Sequence, residues 1–495
     1  MKWFATLAFA VMASAPAQAE TLRVAIDLLP PSLGNPYRTA QPPTVWTTYA
    51  MFDGLTRFDA TGNIVPALAA SWTKVDNLTW RFTLRPGVTF HNGAPLTSEA
   101  IVTAVDYAVS EAAARDGLRR EVGVLKSARA VDPLTVEIVT TEPAPQMPRY
   151  ASAIMPAEPS QWKALGRDGF AKAPVGTGPF KMVKMEENIW RLEAFPQSWR
   201  APKLSALEII AVPETSARVA GLLADRIHIA LSLGPDVLDT VTMAGGQSYV
   251  SHDPSVFGFS FLMFKKGPWQ DVRVRRALNM AIDRDRIIAG LLDGTTVPAT
   301  QPAARNVAGY NPDVPRYPYD PGAAKKLLAE AGFPDGFSFV LEGAVGIDAN
   351  DAAIFQQVQS DLKAIGVTVS LRTIPAAQYF NALRGTDFNG DAFPVDWPSW
   401  PTIDITRSIL AHSCFRPVPW FCDHGAADKL VAARTEWGET KALALKRELA
   451  QYYHDQAPAI FLYETVNFAA VSRRVTDFTM INGAHIPFEQ IGLKP

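Results

Sequence analysis

Cysteine is nearly absent from this chain, with two among 495 residues, and the formal net charge is only −2. Each scarcity excludes something. Two cysteines, and seven histidines (91, 228, 252, 412, 424, 454 and 485) without metal-ligand spacing, complete no four-ligand set, so no metal or cofactor is expected. A nearly neutral chain offers no electrostatic case for nucleic acid or for an anionic membrane surface. Past its first fifteen positions no stretch approaches ~18 uninterrupted apolar residues, so no membrane span is expected there. GxSxG, HExxH and Walker-type sequences are missing as well. The expectation is a protein that is not an enzyme, with no catalytic residue to assign.

What is present begins at the N-terminus. Met1-Lys2 precedes an apolar run from Trp3 to Ala15, and Ala17-Gln18-Ala19 precedes Glu20. That is the pattern of a cleavable secretory leader over 1–19, with no cysteine at the cleavage point for a lipid anchor. The expected compartment is the periplasm, where Cys414 and Cys422, within SCFRPVPWFCD, read as a disulfide pinning a local loop. Closing so short a loop stabilises by roughly 2–3 kcal/mol in the chain-entropy model. The remaining length suits two or three domains.

The most informative stretch is 66–109, PALAASWTKVDNLTWRFTLRPGVTFHNGAPLTSEAIVTAVDYAV. Trp80, Phe82 and Leu84 alternate with Thr79, Arg81, Thr83 and Arg85, which predicts a half-buried strand. Pro86-Gly87 ends it, and His91-Asn92-Gly93 makes a tight turn in which His91 is read as a turn residue. A helix follows, with Thr97 as N-cap and Ile101, Val105, Ala108 and Val109 on one face. This ordered run of motifs resembles the signature of the family 5 extracytoplasmic solute-binding proteins, the binding subunits of peptide, nickel and opine ABC importers.

The resemblance implies an α/β, two-lobed periplasmic binding protein of the large three-domain type, with mixed and parallel sheets and a ligand cleft between the lobes. It implies a discontinuous first domain (20–48, 174–258 and 470–495), a small second domain (49–173) and a third domain forming the second lobe (259–469). The implied partners are a small-molecule or peptide ligand and the permease and ATPase subunits of an importer, with the binding protein itself a monomer. Peptide, opine, oligosaccharide and nickel-chelate ligands all remain open, as does a role as ligand sensor for a membrane receptor.

Local rules supply the rest. The segment 44–58 reads as a helix closing at Gly54. The glycines of Pro174-Val-Gly-Thr-Gly-Pro-Phe180 lack the lysine and spacing of a phosphate loop; in the resembling family a matching motif marks the return to the first domain. A helix is expected over 215–225. Asp271 caps a helix whose Arg273, Arg275 and Arg276 read as a solvated face, and Asp320-Pro321 opens another that Gly332 ends. Strand 337–342, helix 352–365 and strand 367–371 make a βαβ unit and hence a parallel pair.

The candidate site lies in FNGDAFPVDWPSWPTIDITRSI, residues 388–409, read as Pro-rich loop sequence. Asp396 aligns with the aspartate that, in peptide-binding members of the resembling family, receives the peptide α-ammonium. Trp397 and Trp400 are candidate pocket walls, suited to cation–π contact. Tyr37 is a further candidate from the N-terminal loop. Two departures stand out: Trp400-Pro401 replaces the family's Asp-Pro, and 343–350 lacks the arginine that holds a dipeptide's carboxylate.

Overall fold

A computed structural model describes residues 20–38, 44–385, 387–482 and 485–494. The leader expected over 1–19 lies outside the described residues. The fold is α/β and is organised on one ten-stranded sheet, in the order Val367–Thr373, Phe337–Gly343, Ala392–Asp396, Gln247–Phe261, Ala459–Val471, Ile229–Leu233, Thr21–Ile26, Ala206–Ala211, Ile189–Ala194, Phe180–Met185. Parallel pairs lie on both sides of its middle: Thr21–Ile26 with Ala206–Ala211, and Phe337–Gly343 with Val367–Thr373. The helix Asp351–Ala364 connects the second pair, as its βαβ sequence pattern requires.

Two long antiparallel strands join the halves. Gln247–Phe261 and Ala459–Val471 pair from Gln247↔Val471 to Ser260↔Ala459, with register shifts between His252 and Val256 and between Phe257 and Gly258. At one end Val471 also pairs with Ile229; at the other Phe261 pairs with Ala392. Each half has its own apolar core. One cluster runs through Leu22, Phe82, Trp190 and Ile491, and others gather Trp397, Tyr453, Phe259 and Phe355 on the far side of the crossing.

A separate four-stranded antiparallel sheet, Ala69–Lys74, Thr79–Leu84, Thr135–Thr140 and Leu125–Asp132, lies within 49–173. Trp80, Phe82 and Leu84 face its core as the alternation requires, and the helix Ser98–Val109 buries Ile101, Val105 and Ala108. Thr97 occupies the N-cap position without a side-chain bond. Asp271 and Asp320 do cap, accepting from the amides of Arg273 and Ala323.

Four expectations change. The helix from Thr44 ends at Met51, and Thr56–Phe58 is a strand. The cause is tertiary: Asp53 is drawn to Arg200 Nε at 2.6 Å, and the Leu55 amide bonds Ala151 O. The helix opening at Thr215 stops at Leu223, and Asp225 takes a positive φ of 55°. Arg275 is not solvated; its guanidinium donates to the carbonyls of Gln456, Trp269 and Gln270, while Arg273 pairs with Asp271. Lastly, Ala392–Asp396 is a strand inside the sheet despite Pro394. Its parallel neighbour pairs with it only at Leu341↔Ala392, and the proline ring fills space that Gly343 leaves open, since a Cβ there would meet Pro394 Cγ at 2.4 Å.

His91 does more than turn the chain. Gly176 N donates to its Nδ1 at 3.3 Å and its Nε2 lies 3.1 Å from Gly178 O, so the ring ties the turn to the glycine motif. Burial holds its pKa down to about 4, and the ring is neutral. At Gly176 a Cβ would meet Met51 O at 2.1 Å; close backbone approach, not phosphate binding, explains that glycine.

The two halves also touch across the cleft through polar contacts. Arg407 Nε and Nη2 donate to Glu121 at 2.7 Å each, Arg149 Nη1 to Thr402 O at 2.8 Å, and Gln146 Nε2 to Asp404 Oδ2 at 2.8 Å. Among the described residues no helix is long and apolar enough to cross a membrane.

Candidate functional site

A cavity of about 430 Å³ opens over the two crossing strands, a size within the usual range for small-ligand sites. Five aspartates line it, Asp27, Asp236, Asp253, Asp348 and Asp396, and the last three act on one another's ionisation. Each of these three comes from a different local device. Asp396 is the last residue of its strand, where it accepts from Thr465 Oγ1 at 3.0 Å. Asp253 sits in the irregular stretch between His252 and Val256, where the broken ladder re-aims side chains, and it accepts from Asn467 Nδ2 at 2.6 Å. Asp348 belongs to the loop entering the helix Asp351–Ala364. Asp351 shapes that loop by accepting from the amides of Gly346, Ile347 and Asp348 at 2.9, 2.9 and 3.2 Å.

These carboxyls are half-buried and reached by solvent through the cleft. Burial pushes Asp396 up to about 7, with the charge of Asp253 adding to it against the Thr465 bond. Burial likewise raises Asp253 to about 8, with Asp348 contributing, and Asp348 is raised by burial and by Asp396 and Asp351. Like charges crowded in a poorly solvated space disfavour ionisation until a cation arrives.

One guanidinium, Arg218, also lines this cavity. Four of its five N–H donors are engaged: Nη1 with Val212 O and Pro213 O, Nη2 with Thr215 Oγ1 and Ser232 O, at 2.5 to 3.0 Å. Ser232 in turn donates to Asp27 Oδ1 at 2.8 Å. No fork is left there to grip a ligand carboxylate.

Of the residues singled out in the sequence, Asp396 and Trp400 line the cleft together. Trp400 stands where three cavities meet and packs edge-on against Phe58 at 5.5 Å. Trp397 does not line it. One residue beyond Asp396 it points the opposite way, is 1% exposed, and stacks on His412 at 3.6 Å between ring centroids. Tyr37 does not line it either. Asn35 Oδ1 accepts its amide at 2.9 Å in a turn that sends the ring inward, where its hydroxyl accepts from Ala157 N and its ring packs on Tyr107 and Trp162. Cys414 and Cys422 are joined in a disulfide. Asp253, Asp348 and Arg218 were not anticipated. The Asp253-Pro254 break inside an otherwise strand-like run was a usable sign for the first; the 343–350 loop was read for cations and carries an anion.

A two-lobed α/β body with a charged cleft over its crossing strands has the form of a solute-binding protein. The family model of the bacterial extracellular solute-binding proteins, family 5 (middle region), matches residues 63–408, and the chain belongs to that family. Its members bind small ligands for the permease and ATPase subunits of ABC importers and are not enzymes. The chain is 25% identical to di/tripeptide-binding protein 2 of Pseudomonas aeruginosa, over 96% of this chain and 95% of that protein. It is 28% identical to heme-binding protein A of Haemophilus influenzae, over 84% and 82%. The fold matches the periplasmic binding protein DppA of Helicobacter pylori, solved with the peptide STSA, at TM-score 0.85 and 20% identity, over 96% of this chain and 98% of that one.

Proposed function

We propose that this chain is the periplasmic binding subunit of an ABC importer and captures a peptide or peptide-like, amine-bearing solute between its lobes. The observation that carries this reading is the trio Asp253, Asp348 and Asp396 facing a cavity in which Arg218 is already engaged. A ligand ammonium there supplies the counter-charge that the fold withholds, in charge-assisted hydrogen bonds to Asp396 and its neighbours. Trp400 gives the ligand an aromatic wall. In this reading 20–48, 174–258 and 470–495 with the small domain 49–173 form one jaw and 259–469 the other. The permease recognises the closed pair, whose population rises by as much as the ligand prefers it.

The test is native mass spectrometry of protein taken from the periplasm, followed by thermal-shift screening of ligand-stripped protein. Peptides, opines, nickel chelates and oligosaccharides make the panel. A retained peptide mass with peptide-dependent stabilisation supports the reading; at a hundred times Kd the gain is about 2.7 kcal/mol. A sugar or nickel-chelate mass, with peptides inert, overturns the ligand class.

A further inference from the structure

Beyond Trp400 the cleft changes sign. A second chamber, of about 140 Å³, opens past Phe380, Asp396, Pro398 and Trp400, which line both spaces. Its walls carry four guanidiniums, Arg120, Arg384, Arg407 and Arg416, and one further carboxylate, Glu121. Glu121 is committed: Arg407 forks onto it at 2.7 Å through both Nε and Nη2, and Arg120 Nε lies 3.4 Å from its Oε1.

The remaining cations are placed by other parts of the fold. Arg416 lies over the Trp420 ring at 3.9 Å and donates to Ala411 O and Leu383 O, on the loop that the Cys414–Cys422 disulfide closes. Arg384, near the end of the helix Ala376–Gly385, is bonded to Asn381. Arg120 reaches in from the short helix Gly117–Glu121 of the opposite lobe. Arg120 repels the other two: after burial, its charge is the largest influence lowering both Arg384 and Arg416, the latter to about 10. Four guanidiniums against the two carboxyls of Glu121 and Asp396 leave the chamber wall net positive, in a space continuous with the acidic cavity.

We propose that Arg120, Arg384 and Arg416 form an anion-binding subsite, and that the transported solute is dipolar, its cationic end over the aspartates and a carboxylate at the arginines, with Trp400 between them. The proposal rests on reading the acidic cavity as the cation site. Planar guanidinium forks suit a carboxylate better than lysines would, and they arrive from both lobes, so the anionic end touches both jaws.

The experiment reads each end separately. Ligand-stripped full-length protein is titrated at low salt with succinate and, in a second series, with 1,4-diaminobutane, following tryptophan fluorescence, since Trp400 and Trp420 line the basic chamber. Both titrations should saturate. The double variant Arg120→Gln/Arg384→Gln, built on two exposed side chains, should weaken succinate tenfold or more while diamine binding is kept or tightened, which also shows that the variant is folded. Arg416→Lys, which keeps the charge but loses the carbonyl bonds and the stack on Trp420 that place it, should weaken succinate severalfold. A wild-type protein without a saturable succinate response, or a response that the arginine variants leave unchanged, overturns the subsite. Silence towards the diamine with succinate binding intact would instead overturn the acidic-cavity reading.

Discussion

Asp53 is a buried carboxylate and Asp396 a half-buried one, and the fold treats them in opposite ways. Around Asp53 stand Thr177 Oγ1 at 2.8 Å, Trp199 Nε1 at 3.1 Å and Arg200 Nε at 2.6 Å, with Arg200 also 2.8 Å from Glu489. Around Asp396 stand a threonine hydroxyl and the charge of Asp253. The first arrangement is finished within the chain. The second lacks a cation, and such a deficit persists where something from outside completes it. Charge balance thereby sets a structural carboxylate apart from the candidate ligand-binding one.

The comparison can be broken hardest at its structural end. Arg200→Ala strands Asp53 and Glu489 and should cost about 3–5 kcal/mol, read from urea denaturation of ligand-free protein; a cost below 1 kcal/mol would mean the cluster is solvated. Next in size is the disulfide. Reduction should destabilise by roughly 2–3 kcal/mol and lower the melting temperature by a few degrees, and finding both thiols free in periplasmic protein would remove the effect. At the cleft the sign reverses. Asp396→Asn should weaken an amine-bearing ligand tenfold or more, about 1.4 kcal/mol, yet leave the ligand-free protein at least as stable at pH 8. Unchanged affinity would take Asp396 out of the site.

The last effect is a pH dependence, spread over several pH units. The folded pKa values of Asp253 and Asp396 are raised from 3.8 to about 8 and about 7, so the folded state retains protons that the unfolded chain has released. Stability of the ligand-free protein should therefore fall as pH rises from about 4 towards 8, by at most about 1.4 kcal/mol per pH unit for each group, and by less because solvent enters the cleft. Melting curves across that range check it. Asp396→Asn should flatten the profile, and binding of a diamine at pH 6 should release protons to the buffer.

Much of the fold was legible because its signals are local. The alternation at Trp80, Phe82 and Leu84, the caps at Asp271 and Asp320, and the βαβ pattern of 337–371 depend on neighbours in sequence. Of the candidate site, only Asp396 and Trp400 were legible as cavity-lining residues. Trp397 and Tyr37 have the right chemistry for a pocket wall, but the direction in which they point is set by a strand and a turn that composition does not reveal. Arg275 looked solvated because its acceptors, backbone carbonyls at Trp269, Gln270 and Gln456, leave no trace in residue type. Asp253 and Asp348 gain meaning only when a strand and a loop about a hundred residues apart come to one cavity.

The bonds that cross the cleft have a collective consequence. Arg407 with Glu121, Arg149 with Thr402 and Gln146 with Asp404 all span 2.7 to 2.8 Å. Such contacts lose their directional strength within about an ångström of stretching. A partly opened clamp would therefore give them up together, exchanging each for bonds to water. In the proposed clamp this seam is made or broken as a unit, not bond by bond.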